Sequence, residues 1–307
     1  MLRFLFVLVG LLPMIASASE EQLVSALQGT YSACVGIDDS LADLKKMAGI
    51  NTAITAAGTG LGAGAVVTGV KKADVDARIQ ELKNDICNLG GCTQEGVEKA
   101  SEDEIKEIIK KLAEANIISK EVTADDVART ELQSQVNAKT TQSKKLGNWR
   151  TGLLAGNALT NVAGAVIAGK NKVDEDLQGQ IDECRAAVKN LKLVAMQAKL
   201  EGLDVSEADK IVAACGEYDY VDVSKINNRG KGAMLSSAVG ATTGVAGTIA
   251  SVVANNNKSG KNLDGAANTL AGASTVASGV ATVFNATQIS AIKKVATVAT
   301  QCSEVLK

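Results

Sequence analysis

The sequence predicts an all-α protein, with elongated helical hairpins or a bundle built from repeated Gly/Ala-rich helices and no β-sheet. Three observations carry this. The single proline is Pro13, so nothing downstream interrupts a helical hydrogen-bond ladder. The chain has one Trp, three Tyr and three Phe, too few for strands built on aromatic and β-branched residues with turn punctuation. Small residues recur every four positions along long uncharged stretches, which is a helical spacing.

Taken in order, MLRFLFVLVGLLPMIASASEEQ has the form of a secretory signal. Arg3 supplies the basic start, Phe4 to Ile15 the apolar core, and Ala16-Ser17-Ala18 the small-residue cleavage pattern. Cleavage after Ala18 is expected, with export to the periplasm or cell envelope. The remaining chain then reads as three helical units, 19–98, 99–203 and 204–307. The last contains a hairpin over 232–292.

Four uncharged segments stand out: 47–70, 151–169, 232–257 and 265–292. "GAVVTGVKKADVD" (64–76) resembles "GAVIAGKNKVDED" (164–176) at an offset of 100, and "GVAGTIASVV" (244–253) is a looser third copy. Between them lie charged helices. Ser101 and Glu104 have capping-box spacing, and Ile105, Ile108, Ile109 and Leu112 form one apolar face. Residues 123–145 continue as a polar helix, and 173–202 form a long helix ended by Gly202. "NNNKSGKNLDG" (255–265) is a polar turn.

The glycines of the first segment do not form a phosphate-binding loop. Gly58, Gly60, Gly62 and Gly64 miss the third spacing of G-x-G-x-x-G, and no strand pattern precedes them. Gly260-Lys261 is followed by Asn262 rather than Ser or Thr. The spacing of four places Gly60 and Gly64, Gly152, Gly156 and Gly164, and Gly240 and Gly244 on helical packing stripes. These stripes resemble the glycine zipper, a motif that recurs in bacterial envelope and pore-forming proteins. The resemblance covers the stripes alone, and it implies close helix packing or insertion into a membrane.

All six cysteines, Cys34, Cys87, Cys92, Cys184, Cys215 and Cys302, lie after the signal, so disulfides are expected. If the third and fourth segments are antiparallel arms turning near 258–259, Cys215 and Cys302 reach the same height and pair. A bend at Gly60-Leu61 would likewise bring Cys34 to Cys87, leaving Cys92 for Cys184.

Histidine is absent, which removes Ser-His and Cys-His catalysis and the commonest metal ligand. No catalytic, cofactor or metal constellation is evident, no cofactor is expected, and no small-molecule substrate is evident. After Arg3 is removed, 31 basic side chains face 34 acidic ones. No basic groove interleaved with aromatics is present, so nucleic acid is not an expected partner. The expected function is therefore that of an exported, non-enzymatic, helical envelope protein acting through small-residue helix packing. Its expected partners are sister subunits or another envelope protein. The alternatives are a membrane-inserting, pore-like oligomer using hairpin 232–292, and a soluble periplasmic adaptor presenting its charged helices.

Overall fold

A computed structural model describes residues 20–89, 124–256 and 261–307. The expected signal, the 101–117 helix, Cys92 and residues 257–260 of the expected turn lie outside these. The described residues contain no strand. Their helices are α1 (Glu20–Cys34), α2 (Ile37–Asn88), α3 (Ala124–Lys170), α4 (Glu175–Leu200), α5 (Ser206–Cys215), α6 (Ser224–Asn256) and α7 (Lys261–Leu306). A 3₁₀ turn at Gly216–Tyr220 separates α5 from α6.

The residues group into two compact units, each assembled from separate stretches of sequence. Unit 1 takes residues up to 52, 166–234 and 282–307; unit 2 takes 53–165 and 235–281. These groupings cut across the consecutive repeat units of the sequence, because α2, α3, α6 and α7 each give part of their length to both.

Unit 1 has an ordinary apolar core. Ile37, Leu41, Ile181, Leu191, Ile226 and Ile292 are fully buried in it. Gly36 and Gly202 have φ of 86° and 82°, the left-handed conformation that lets the chain turn after α1 and after α4. Asp174 caps α4 by accepting from the Leu177 amide at 2.8 Å. Two disulfides close the core. Cys215–Cys302 joins α5 to α7, as the equal-arm arithmetic expects. The second bridge is Cys34–Cys184, between α1 and α4. It replaces both the Cys34–Cys87 and the Cys92–Cys184 pairings. The reason is that α2 runs unbroken through Gly60-Leu61, so the bend that would have returned Cys87 towards Cys34 does not exist. The sulfurs of Cys34, Cys184 and Cys302 lie within 4.8 Å of one another, but all three are oxidised into bridges and offer no thiolate to a metal.

The entry to α6 is acid-sensitive. The Ser224 hydroxyl, followed by Lys225, holds the exposed Asp222 carboxyl below its ordinary 3.8. A depressed pKa stabilises the fold above the unfolded value and loses that contribution as the pH falls through the folded one. The protection of the first-turn amides of α6, taken as exchange relative to the intrinsic rate at each pH, is therefore expected to fall below about pH 4, and Asp222→Asn should abolish that fall. An unchanged dependence in the variant would show that Asp222 is not its source.

In unit 2, parts of α2, α3, α6 and α7 pack side by side, each antiparallel to its two neighbours. Ser143 bonds Asp76, Gly58 faces Thr160, and Lys72 meets Asp264, while Gly62 faces Thr275. Arg150 bonds Ser251, and Gly240 faces Asn161. Going up α2 therefore means going down α3 and α7, which is an up-down-up-down bundle.

Candidate functional site: a polar interior beneath an apolar surface

The buried positions of unit 2 do not follow the spacing of four. On α6 they are Ser237, Gly240, Gly244, Gly247, Ser251 and Ala254, and over 53–72 of α2 they are Thr55, Gly58, Gly62, Ala65, Gly69 and Lys72, followed by Ile79, Leu82 and Ile86, which pack with Val136 of α3 in an ordinary apolar cluster. Steps of three and four alternate, the 3.5-residue period of a coiled-coil seam. A strict spacing of four drifts off such a seam, and this corrects part of the expected stripe. Gly60 and Gly152 are exposed, with nothing within 4 Å of where a Cβ would stand. Gly64 and Gly156 make ordinary or slightly tight contact with Leu153 and Leu61. Gly164, Gly240 and Gly244 are buried as expected. The closest approaches include Gly58, Gly62, Gly69 and Gly147, which the spacing of four did not single out. A Cβ on Gly69 would stand 1.9 Å from Asn268 Oδ1, and one on Gly147 2.2 Å from Asn255 Oδ1.

This gives a paired test. A Cβ on Gly244 would lie 3.1 Å from Ala158 Cβ and 3.2 Å from its Cα, and one on Gly240 2.8 Å from the Asn161 amide. Gly240→Val and Gly244→Val should each cost about 1–3 kcal/mol by overpacking. Gly60→Ala should instead stabilise by about 0.5–1 kcal/mol, since only helix propensity changes. Thermal melts followed by circular dichroism decide the matter. Equal effects at the two kinds of site would refute the alternating seam.

Glycine lets the backbones approach, and polar side chains fill the interior that remains. Asn157 Nδ2 donates to Ser274 Oγ at 2.8 Å, and Asn161 Nδ2 donates to Ser278 Oγ at 2.8 Å. Ser274 Oγ donates in turn to the Gly240 carbonyl at 2.7 Å, so three helices share one ladder. At one end of the ladder lies a charged clasp. Arg150, fully buried, donates from Nε to Ser251 Oγ at 3.0 Å and from Nη1 to Asn268 Oδ1 at 3.2 Å. Its Nη2 binds Asp264, which also accepts from Lys72 at 2.7 Å. Lys72 reaches Asp76 as well, and Asp76 accepts from Ser143. Two cations and two carboxylates therefore meet with every carboxylate oxygen engaged, which offsets the burial of Arg150 and Lys72.

The outside is the reverse. Over 53–70 of α2 the exposed residues are Ala53, Ala56, Ala57, Gly60, Ala63, Val67 and Val70. Leu159 and Val162 on α3, Val239, Val245 and Ile249 on α6, and Val276 and Val280 on α7 are all 42–70 % exposed. Threonine hydroxyls of this zone turn back on their own helices. Thr68 donates to Gly64, Thr242 to Ala238, Thr248 to Gly244 and Thr269 to Gly265, each to a carbonyl one turn earlier. Little on this surface asks for water.

Glu20–Asn88, Ala128–Leu200 and Ser224–Asn256 each contain a stretch long and apolar enough to cross a membrane. Segment 265–292, expected to pair with 232–257 in a membrane hairpin, is not among them. Its valines are diluted by Ser, Thr and Asn, several of which point inward. Sequence reasoning missed the amide–hydroxyl ladder, although a signal was present: Asn157 and Asn161, like Ser274 and Ser278, are one helical turn apart inside otherwise uncharged segments. No family model, curated protein or solved structure matches the chain.

Proposed function

We propose that the protein is an exported, non-enzymatic, structural component of the cell envelope, with the four-helix bundle of unit 2 embedded in lipid. The observation that carries this reading is the inversion of polarity in unit 2. Water-soluble bundles bury leucine and display charge, whereas the four-helix part of unit 2 buries Asn157, Asn161, Ser274, Ser278 and Arg150 beside Leu154 and several alanines, and displays Val, Leu and Ile. In a bilayer there is little hydrophobic drive between helices. Association comes instead from close packing of small residues and from interhelical hydrogen bonds, the two devices found here. The uncharged segments of 24, 19, 26 and 28 residues are long enough for a hydrocarbon core about 30 Å thick. The non-enzymatic reading is supported by Asp264 being paired with Arg150 and Lys72, a holding role rather than that of a free acid or base.

The test is extraction of membranes from cells expressing the chain, first with carbonate and then with detergent. Retention in the pellet until detergent is added is the expected result. Val245→Lys combined with Ile249→Lys should release the protein into the carbonate fraction, since each lysine at the middle of a lipid-facing helix costs about 2.5–3.5 kcal/mol. A chain that is soluble without detergent, and unaffected or made more soluble by these lysines, overturns the proposal.

A pore-like role is the second reading. It is favoured by Ser237, whose Oγ is buried without a hydrogen-bond partner, and by the amide ladder, which would line a conduit if the helices parted. Ion conductance of reconstituted protein across planar bilayers separates this from a closed structural bundle.

A further inference from the structure

Unit 1 carries a collar of lysines contributed by four different helices. Lys46 lies on α2, Lys170 and Lys172 at and just after the end of α3, Lys231 on α6, and Lys293 and Lys294 on α7; all are exposed. Contacts within the unit bring them to one level. Asn51 donates to Asn285, Asn171 pairs with Gln288, and Arg229 donates to the Thr287 carbonyl. Measured along α7, the six ammonium-bearing positions therefore fall within about six to nine residues of one another, or roughly 14 Å of helix. Four of them are also where charge resumes in the sequence. Lys46 precedes the uncharged run 47–70, Lys170 follows 151–169, Lys231 precedes 232–257, and Lys293 follows 265–292.

Opposing charges at this level are Asp43 on α2 and Asp174, Glu175 and Asp176 at the start of α4, all exposed, and Asp222, which is engaged by Ser224 and Lys225. Beside the collar is a groove of about 550 Å³ whose rim carries Lys225, Arg229 and Lys294 and whose floor carries Val295 and Val298. Glu217 and Asp222 also stand on that rim. A rim of three cations and two carboxylates, with Lys225 paired to Asp222, leaves Arg229 and Lys294 to face a phosphate above an apolar floor that suits an acyl chain.

We propose that this collar, with its groove, docks the anionic headgroups of phospholipids. The inference rests on the lipid-embedded reading of unit 2. Lysines at the ends of apolar helices commonly snorkel to the interface, and juxtamembrane lysines gain about 1 kcal/mol each from an anionic leaflet, roughly fivefold per residue. Four helices presenting them at one level make a surface that prefers phosphatidylglycerol over a zwitterionic lipid. A nucleic acid would need stacking aromatics between the cations, and Tyr220 is the one exposed aromatic at the groove.

The experiment uses the full chain, purified in a neutral detergent with its disulfides intact, and measures lipid retained by native mass spectrometry. Phosphatidylglycerol and phosphatidylcholine of identical acyl chains are offered at equal concentration. At least a tenfold preference for phosphatidylglycerol is expected. The variant Lys231→Gln/Lys293→Gln/Lys294→Gln should reduce it to less than threefold while leaving the helical circular dichroism spectrum unchanged. Lys139→Gln/Lys144→Gln/Lys145→Gln, which removes equal charge from unit 2, should leave it intact. Equal retention of the two lipids, or equal loss in both triple variants, overturns the inference. So does displacement of phosphatidylglycerol by inorganic phosphate or single-stranded DNA at matched phosphate concentration. The carbonate extraction above reads embedding independently. A carbonate-resistant protein without lipid preference sinks the collar alone, and a carbonate-soluble protein sinks the embedded reading.

Discussion

Arg150→Met is expected to lower stability by about 1–3 kcal/mol, the cost of leaving buried hydrogen-bonding groups without the guanidinium that satisfies them. The guanidinium is fully buried and ties three helices at once, through Ser251 on α6, Asn268 and Asp264 on α7, and its own α3 backbone. Its loss leaves Asp264 with Lys72 as its remaining cation and leaves the Ser251 hydroxyl and Asn268 carbonyl short of a donor. Arg150→Lys should recover little, since one ammonium cannot reproduce three directions of the planar fork. The triple replacement Arg150→Met/Asp264→Leu/Lys72→Met should be markedly more stable than Arg150→Met alone, because it removes the unpaired charges along with their partners. Unfolding in detergent, followed by circular dichroism, supplies the numbers. If Arg150→Met melts within about 1 kcal/mol of the parent, the clasp does not hold the bundle together.

Reduction of the two bridges is expected to have a larger effect. Cys215–Cys302 closes 87 residues and Cys34–Cys184 closes 150. On chain-entropy grounds such loops approach the upper end of the 2–5 kcal/mol that a native disulfide contributes. Both bridges lie in the core of unit 1, so Cys→Ser also places a hydroxyl in an apolar site. Cys215→Ser/Cys302→Ser should therefore lower the melting temperature further than Cys215→Ala/Cys302→Ala, and either should melt below the oxidised parent. A parent insensitive to dithiothreitol, under conditions where thiol labelling confirms that both bridges are open, would refute the assignment of a stabilising role.

The all-α architecture was legible because proline and strand signals are missing, and neither absence depends on tertiary context. The Cys215–Cys302 bridge was legible for a geometric reason: two helices that return on each other bring residues equally far from the turn to one height. Cys34 failed by the same logic, because the assumed bend at Gly60 had no proline, bulge or other cause behind it. The helices were found, but their inward faces only in part: Gly164, Gly240 and Gly244 are buried, whereas Gly60 and Gly152 are exposed. Glycine and alanine are so frequent in these segments that a spacing of four and an alternation of three and four both find matches over a few turns. The two diverge only over long helices, where supercoiling keeps Gly58, Gly62 and Gly69 inside and carries Gly60 out. The polar interior was obscured for a different reason. Hydropathy patterning assumes that apolar means inward, and the assumption fails where Asn157, Asn161, Ser274 and Ser278 face inward and Leu159, Val245 and Ile249 face out.

An interior of small residues at an alternating spacing has a weakness as a blueprint. Moved along its neighbour by one heptad, a glycine seam meets another glycine or alanine seam, and the packing is almost as good. Ladders of this kind have no intrinsic address. The amides and charges supply one. Shifted by seven residues, Arg150 would face Ala271 instead of Asp264, and the ladder partners of Ser274 and Ser278 would be displaced by two turns. Every misalignment would leave several donors buried with nothing to receive them, whereas the native alignment satisfies them together. The polar residues thus act as a combination lock for four otherwise interchangeable rods, admitting one relative setting and rejecting its neighbours.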